Sequence, residues 1–428
     1  MLDTVIIWGH TLKFAKSSTN IIWLVTEKCF ALTLTLFVTL AIARHLMPEN
    51  FGKLNLMLSL VSLVTPLMAV GLNSIISREI LARPEDNSFI MGSAFVSRLV
   101  FSFAILPLLI WLSYRYLGAN DAFLLTFLLF SSLFNAAHIV DFWLQAHLAN
   151  GYASAVRIIT LVLFSMARIV AIETDADVST FVYLAGLELV SVGCLYIFLY
   201  NRLAGGVAQL SVSWRESKRL LKDARWLVLS GVAGMVYLKV DQVMIGQMVN
   251  DRAVGIYAAA ARISEVWYFA PAAIVAVFFP RMINHRVMDP KIYLIDLQKI
   301  NDFLLYSALV VALVVSFCAS WLVPVLFGAA YEGAIPILVV HIWAGLFVFM
   351  RTLLSKWFIA ENLLKLSMVS QVLGALVNVL LNLKLIPLYG SIGAAYATVI
   401  SFAVAGYAAL FLHRDLWPMA LVVSRSFL

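Results

Sequence analysis

Charge is scarce in these 428 residues: Asp, Glu, Lys and Arg together make up 12%, about half the share of a soluble globular protein. The 63% of residues that are hydrophobic exceed anything a soluble core could hide. Cysteine is scarcer still. Cys29, Cys194 and Cys318 are odd in number and each lies inside an apolar stretch, which excludes a disulfide framework or a metal set. The sequence carries no HExxH, phosphate-binding loop or nucleophile elbow, and its seven histidines are dispersed, so no enzyme active site is indicated. The first twenty residues hold Asp3, Lys13 and Lys16 without a short apolar core and cleavage site, which argues against a removable signal peptide. Nothing alternates apolar and polar in the manner of an outer-membrane barrel.

Long apolar runs fill the chain instead. Spans of about twenty residues or more fall near 20–43, 51–76, 89–113, 122–147, 153–172 and 180–201, and again near 226–248, 254–280, 301–325, 334–360, 365–386 and 391–412. The expected fold is an all-α membrane protein of about twelve helices. Turn residues such as Pro48-Glu49-Asn50 and Pro387-Leu388-Tyr389-Gly390 sit at the breaks.

The net charge of +7 is scattered between apolar stretches and forms no nucleic-acid footprint. Its sidedness is informative. The connection after the sixth span carries Arg202, Arg215, Lys218, Arg219, Lys222 and Arg225, and the one after the eighth Arg281, Arg286, Lys291 and Lys299, whereas the loop after the fifth reads Glu173-Thr174-Asp175-Ala176-Asp177. The positive-inside rule then predicts a multi-pass protein with both termini cytoplasmic, contacting membrane lipids.

An internal repeat organises the chain. Trp23-Leu24-Val25 recurs as Trp226-Leu227-Val228, Gly52 as Gly255 and Arg78 as Arg281, each pair 203 positions apart. Six helices per copy keep both copies in one orientation, so a pseudo-two-fold along the membrane normal relates a lobe 1–201 to a lobe 226–428 across a basic linker 202–225, with a central cavity between them. Pro66 and Pro271, mid-span in helices two and eight, are expected to kink them.

Charges inside the spans are costly in hydrocarbon and need a partner or water. The cations are Lys28, Arg98, Arg168, Lys239, Arg262 and Arg351; the anions are Glu27, Asp141, Glu188, Asp241 and Glu265. Arg262 and Glu265 are one turn apart and Asp241 lies at a similar depth, which predicts one charged cluster of these three and leaves Arg98 and Arg351 against Asp141 and Glu188. His138, three residues before Asp141, reads as a packed or cavity-lining residue.

Several of these residues resemble a family. Ala43-Arg44-His45-Leu46-Met47-Pro48-Glu49-Asn50-Phe51-Gly52 is similar to the junction between helices one and two of Wzx-type polysaccharide-unit flippases, although Met47 stands where glycine is common. Asp241-Gln242-Val243-Met244-Ile245-Gly246 followed by Val254-Gly255-Ile256-Tyr257 and Arg262-Ile263-Ser264-Glu265 resembles a second signature, and Pro387 to Thr398 a third. The resemblance implies the multidrug, oligosaccharidyl-lipid and polysaccharide exporter superfamily, with two six-helix lobes and alternating access. It implies a flippase of the bacterial inner membrane that carries an undecaprenyl-diphosphate-linked oligosaccharide, such as an O-antigen or other repeat unit, to the periplasmic leaflet and hands it to polysaccharide polymerase machinery.

Such a substrate brings a diphosphate into a low-dielectric region and needs Arg or Lys there, with Arg98, Arg262 and Arg351 as candidate contacts. Glu27, Asp141, Glu188, Asp241 and Glu265 would serve ion coupling, to a proton or sodium gradient, or structural pairing. No cofactor is expected. The alternative is a drug or cation antiporter of the same superfamily, which needs unpaired acids such as Asp141 and Glu188; a membrane polymerase or ligase would need a large external loop.

Overall fold

The computed structural model describes residues 2–427, and the side chains of residues 27–427 except those of Ser74, Pro280, Arg281, Val287 and Pro290. The Trp23-Leu24-Val25 copy of the repeat, the side chain of Arg281, and Asp3, Lys13 and Lys16 lie outside the described side chains.

Eleven helical segments are long and apolar enough to cross a membrane among the described residues. The first, Glu27–Ala69, is 43 residues long and breaks at Met47 (φ 59°, ψ 168°), so it forms two spans, α1 (27–46) and α2 (48–69). Twelve spans result. They continue as α3 (Asn87–Tyr116), α4 (Ala119–Ala146), α5 (Asn150–Glu173), α6 (Val178–Leu203), α7 (Trp214–Met248), α8 (Asp251–Met288), α9 (Pro290–Phe327), α10 (Ala334–Ala360), α11 (Leu364–Tyr389) and α12 (Ser391–Phe411), and a short α13 (Trp417–Ser426) follows. No strand is present among the described residues. For brevity, the face bearing the loops after α6 and α8 is the basic face, and the other the outer face.

Local chemistry explains where the helices loosen. In α4 the hydroxyls of Ser131 and Ser132 donate back to the carbonyls of Phe127 (2.9 Å) and Leu129 (2.6 Å), and a 3-10 stretch runs from Ser132 to His138. In α8 a 3-10 turn, Val266–Tyr268, precedes Pro271, whose ring cannot donate to the turn before it. Around Pro66 the dihedrals of α2 stay helical, so only one of the two expected kinks shows in the backbone.

The repeat has a physical counterpart at the outer face. A Cβ on Gly52 would lie 1.8 Å from the carbonyl oxygen of Asp251, and one on Gly255 1.9 Å from that of Pro48. Gly52 and Gly255 are 203 positions apart, and so are Pro48 and Asp251, so the two halves play reciprocal roles in one contact, and only glycine lets the backbones approach so closely. A single hydrophobic cluster there joins both lobes, running from Ala43, Leu46 and Phe51 to Val254, Phe327 and Tyr331. Toward the basic face the core divides into two: Leu72, Ile90 and Tyr196 in one lobe, Leu304, Leu353 and Trp357 in the other.

The expected linker 202–225 needs correction. From Trp214 onward it is the first third of α7, and Leu220 and Ala224 are buried in the core of the first lobe. The chain at Ser211 and Ser213 packs on α3, where a Cβ on Gly92 would lie 2.3 Å from the Ser211 carbonyl oxygen and Ser213 N–H donates to Ser93 Oγ at 3.0 Å.

Candidate functional site

Two adjoining cavities, of about 890 and 240 Å³, run through the first lobe and share Thr35, Leu161 and Glu188 as walls. At the end toward the basic face, Arg157 of α5 joins two acids. Its Nε donates to Glu27 Oε1 (3.1 Å) and its Nη1 to both oxygens of Asp141 (3.2 and 3.1 Å), while Ser154 Oγ donates to Glu27 Oε2. His138 lines this cavity, packs edge-on against Tyr196 at 5.3 Å and leaves Nε2 without a partner. Deeper, Arg168 donates to Glu188 at 2.5 Å. Arg262 reaches the same space from α8 of the other lobe, and no carboxylate lies within 4 Å of it among the described residues.

The tally of charges along this track decides its sign. Lys28, Arg157, Arg168 and Arg262 line the two cavities against Glu27, Asp141 and Glu188, four cations to three acids. The acids are all held by Arg157 or Arg168. Two of the cations, Lys28 and Arg262, have no carboxylate within 4 Å among the described residues, and Arg262 is the deeper, about 11 residues and so roughly 16 Å into α8 from its outer end.

The expected cluster of Asp241, Arg262 and Glu265 does not form. Asp241 lies seven residues, about 10 Å, from the outer end of α7 and Arg262 about 16 Å from that of α8, and the three side chains face different surroundings. Glu265 pairs with Lys239 (3.3 Å), Arg262 faces the first-lobe cavity, and Asp241 points into the second lobe. There Asp241 is 2% exposed and meets no cation. Tyr257 Oη donates to its Oδ2 (2.7 Å), Asn382 Nδ2 to its Oδ1 (2.6 Å), and Thr398 Oγ1 also donates to Oδ2. Asn382 in turn donates to Asn378 Oδ1 (3.1 Å), and its own Oδ1 is buried without a partner. The carboxylate is held by neutral hydrogen-bond donors alone, with no cationic side chain against it.

The three candidate phosphate contacts are not brought together. Arg98 is 1% exposed and donates to Asn73 Oδ1 at 2.5 Å, with its Nε unpartnered; it lines neither cavity of this lobe, because α3 turns it into the packed interior. Nor do Arg98 and Arg351 meet Asp141 and Glu188, which Arg157 and Arg168 occupy. Arg351 is held by neutral groups: Nη1 donates to Ser370 Oγ (2.9 Å) and the Ala405 carbonyl (3.2 Å), Nη2 to the Ser367 carbonyl (3.2 Å). Ser367 lines a cavity of about 480 Å³ that opens between the lobes near the basic face. Arg78, Asp223 and Lys365 also line it.

Sequence reasoning missed Arg157, which lies seven residues inside α5 and reads as an interfacial cation, and the Asn378, Asn382 and Thr398 set around Asp241. Two amides four apart in an apolar helix share one face, and that cost in hydrocarbon was a readable signal.

Twelve spans in two lobes, with polar cavities and no catalytic constellation among the described residues, define a transporter-type fold. The same fold occurs in lipid II flippase MurJ in an inward closed conformation (TM-score 0.70, 15% identity, 95% of this chain and 91% of that one). It also occurs in an inward-facing multidrug resistance MATE family transporter (TM-score 0.68, 14% identity, 91% and 94%). In sequence, the chain is 21% identical over 373 residues to the probable low-salt glycan biosynthesis flippase Agl15 of Haloferax volcanii, covering 85% of this chain and 76% of that one. It is 27% identical over 249 residues to the probable flippase AglR of the same organism, covering 56% and 50%. The polysaccharide biosynthesis protein family matches residues 17–285, and the chain belongs to that family.

Proposed function

We propose that this protein is a flippase that carries an undecaprenyl-diphosphate-linked oligosaccharide across the bacterial inner membrane, from a cytoplasmic basic face to the periplasmic leaflet, and delivers it to polymerase machinery. One observation supports this reading over the cation antiporter: every acid on the first-lobe cavities is already engaged by an arginine, and the charges left over are cations, Lys28 near the basic face and Arg262 deeper. A diphosphate complements that surplus, and a guanidinium can hold two of its oxygens at once. A cationic drug would meet no unpaired carboxylate there. Of the three arginines first expected to bind, Arg262 takes the central role, Arg351 acts at the inter-lobe cavity through Ser367, and Arg78 and Lys365 take the place of Arg98 at the entrance. Ion coupling is assigned to Asp241, a buried carboxylate that no cationic side chain neutralises.

The test is a reconstituted flipping assay on lipid-linked oligosaccharide. Arg262→Ala should abolish transport, Arg262→Lys should leave part of it, and Arg98→Gln should lower protein abundance rather than the rate per molecule. Full activity of Arg262→Ala would overturn the assignment. Reporter fusions check the topology, with periplasmic activity expected at Asp175 and none at the C-terminus.

A further inference from the structure

On the basic face, α13 lies against the first third of α9 and leaves a groove of about 680 Å³ that plays no part in the transport path. Lys299, Arg414 and Arg425 line it, and no acidic residue does. The acids of these elements are engaged elsewhere: Asp302 accepts from Gln298 (2.8 Å) and Ser426 (2.5 Å), Asp296 lies 2.7 Å from His285, and Asp415 3.5 Å from His413. None of the three cations has a carboxylate within 4 Å among the described residues. Apart from Gln298 the remaining walls are apolar, with Leu294, Ile295, Trp417 and Leu421 exposed to the surroundings.

Depth identifies those surroundings. From Phe327 at the outer end of α9 back to Gln298 is 29 residues, roughly 43 Å along the helix, against about 30 Å of hydrocarbon and about 40 to 45 Å including headgroups. The groove therefore sits in the headgroup layer. Below it, Phe303 (57% exposed), Tyr306, Val310, Leu313 and Phe317 (88%) follow Lys299 at intervals of three and four residues, so one exposed apolar face of α9 runs from the cations into the membrane. An indole at the same level is the side chain favoured at that boundary.

We infer that this groove binds an anionic glycerophospholipid of the basic-face leaflet, with its phosphodiester among Lys299, Arg414 and Arg425 and an acyl chain along the α9 stripe. The lipid would bridge α13 to α9 and place one negative charge among three cations that have no carboxylate beside them among the described residues. The full-length protein, purified in a mild detergent, is titrated with phosphatidylglycerol or phosphatidylcholine and read by native mass spectrometry. Phosphatidylglycerol should be retained well above phosphatidylcholine, and the triple variant Lys299→Gln, Arg414→Gln, Arg425→Gln should lose roughly fivefold in affinity per cation removed. A control triple, Arg202→Gln, Arg215→Gln, Lys218→Gln, removes the same charge elsewhere on the basic face and should bind as the parent does. Inorganic phosphate and soluble glycerol phosphate should not displace the lipid, since the stripe contributes to binding. Equal retention of phosphatidylglycerol by both triples, equal retention of the two lipids by the parent, displacement by inorganic phosphate, or preference for a polyprenyl diphosphate over phosphatidylglycerol would each overturn the assignment. The thermal midpoint of each variant reports whether it is folded, and Lys299→Arg, which keeps the charge, should retain the lipid even where the triple does not fold.

Discussion

The two ends of the seam between the lobes are built on different physics. At the outer face the lobes share one core and touch backbone to backbone at Gly52 and Gly255, and Ser59 Oγ donates across the seam to Gln242 Oε1 at 2.7 Å. At the basic face the cores are separate, a cavity of about 480 Å³ intervenes, and a network of charges ties the first third of α7, the helix that leads into the second lobe, to the first lobe. There Arg83 donates to Glu79 (3.1 Å) and Glu216 (2.7 Å), and Arg219 to the same two acids (2.7 and 2.6 Å). Close-packed glycine contacts are short-ranged and vanish once the backbones part by an ångström or two; ion pairs at a wetted face weaken gradually and can re-form. A seam that is dry at one end and ionic at the other suits a protein that must part its lobes on one side at a time.

The largest effect should come from breaking the dry end. Any Cβ at position 52 meets a backbone carbonyl that cannot step aside, so Gly52→Leu, or Gly255→Leu on the other side of the pseudo-two-fold, forces the outer seam apart. Transport should be lost while the protein still inserts, and spin labels on α2 and α8 near the outer face should report a longer and broader distance. An unchanged distance in both variants would show that the glycine contact does not close that end.

Breaking the ionic end should cost less. Arg219→Ala removes three charge-assisted hydrogen bonds to two acids from side chains that are partly solvated, so about 2 kcal/mol is a fair magnitude after screening. The consequence falls on residues 214–225 of α7, which dock on the first lobe. Their amides should exchange with deuterium roughly tenfold or more faster than in the parent, with outer-face amides unaffected. Equal acceleration at both ends would mean that the seam opens as one unit.

Much of this comparison was legible in the sequence. Twenty-residue apolar runs announce spans because the bilayer leaves the backbone no other way to satisfy its hydrogen bonds. The 203-residue offset marks Gly52 and Gly255 as equivalents; that each meets a carbonyl beside the other depends on how the lobes dock, which no local pattern encodes. The charges show the same division. Depth follows from counting residues, so Asp241 and Arg262 were placed level, but the direction each faces depends on rotation about two helix axes. The partners of Asp241 at Asn382 and Thr398 stand 141 and 157 positions away, beyond any local signature.

Met47 sharpens the dry end on a smaller scale. Its dihedrals fall in a region that essentially only glycine occupies without strain, while the equivalent Asn250 is extended at φ −174° and caps the N–H of Ala253. The departure from glycine noted in the sequence therefore sits at the one residue that breaks the helix between α1 and α2. Met47→Gly should relieve the strain but give the unfolded chain more freedom, for a net gain of about 1 kcal/mol in the thermal midpoint's terms. Loss of stability would mean that the partly exposed Met47 side chain packs better than its backbone suffers.

The smallest expected effect tests the ionic end by titration. Burial alone would raise the carboxyl of Glu79, but hydrogen bonds and charge from Arg219 and Arg78 outweigh it and hold the group below its ordinary value of 4.5. A depressed acid contributes its stabilisation fully above the unfolded value and loses it as pH falls through the folded one. The guanidinium groups stay charged throughout, so the sign is set by Glu79 alone within this pair. Between pH 7 and about 5 the thermal midpoint of the parent should exceed that of Glu79→Gln by a constant amount, and below about 4.5 the two should converge. Using the difference between parent and variant cancels Glu216 and the other carboxylates, which titrate in the same window in both proteins. If the difference stays flat down to pH 3.5, Glu79 contributes through its shape and neutral hydrogen bonds, and the contrast between an ionic inner seam and a dry outer one rests on Glu216 with Arg83 and Arg219.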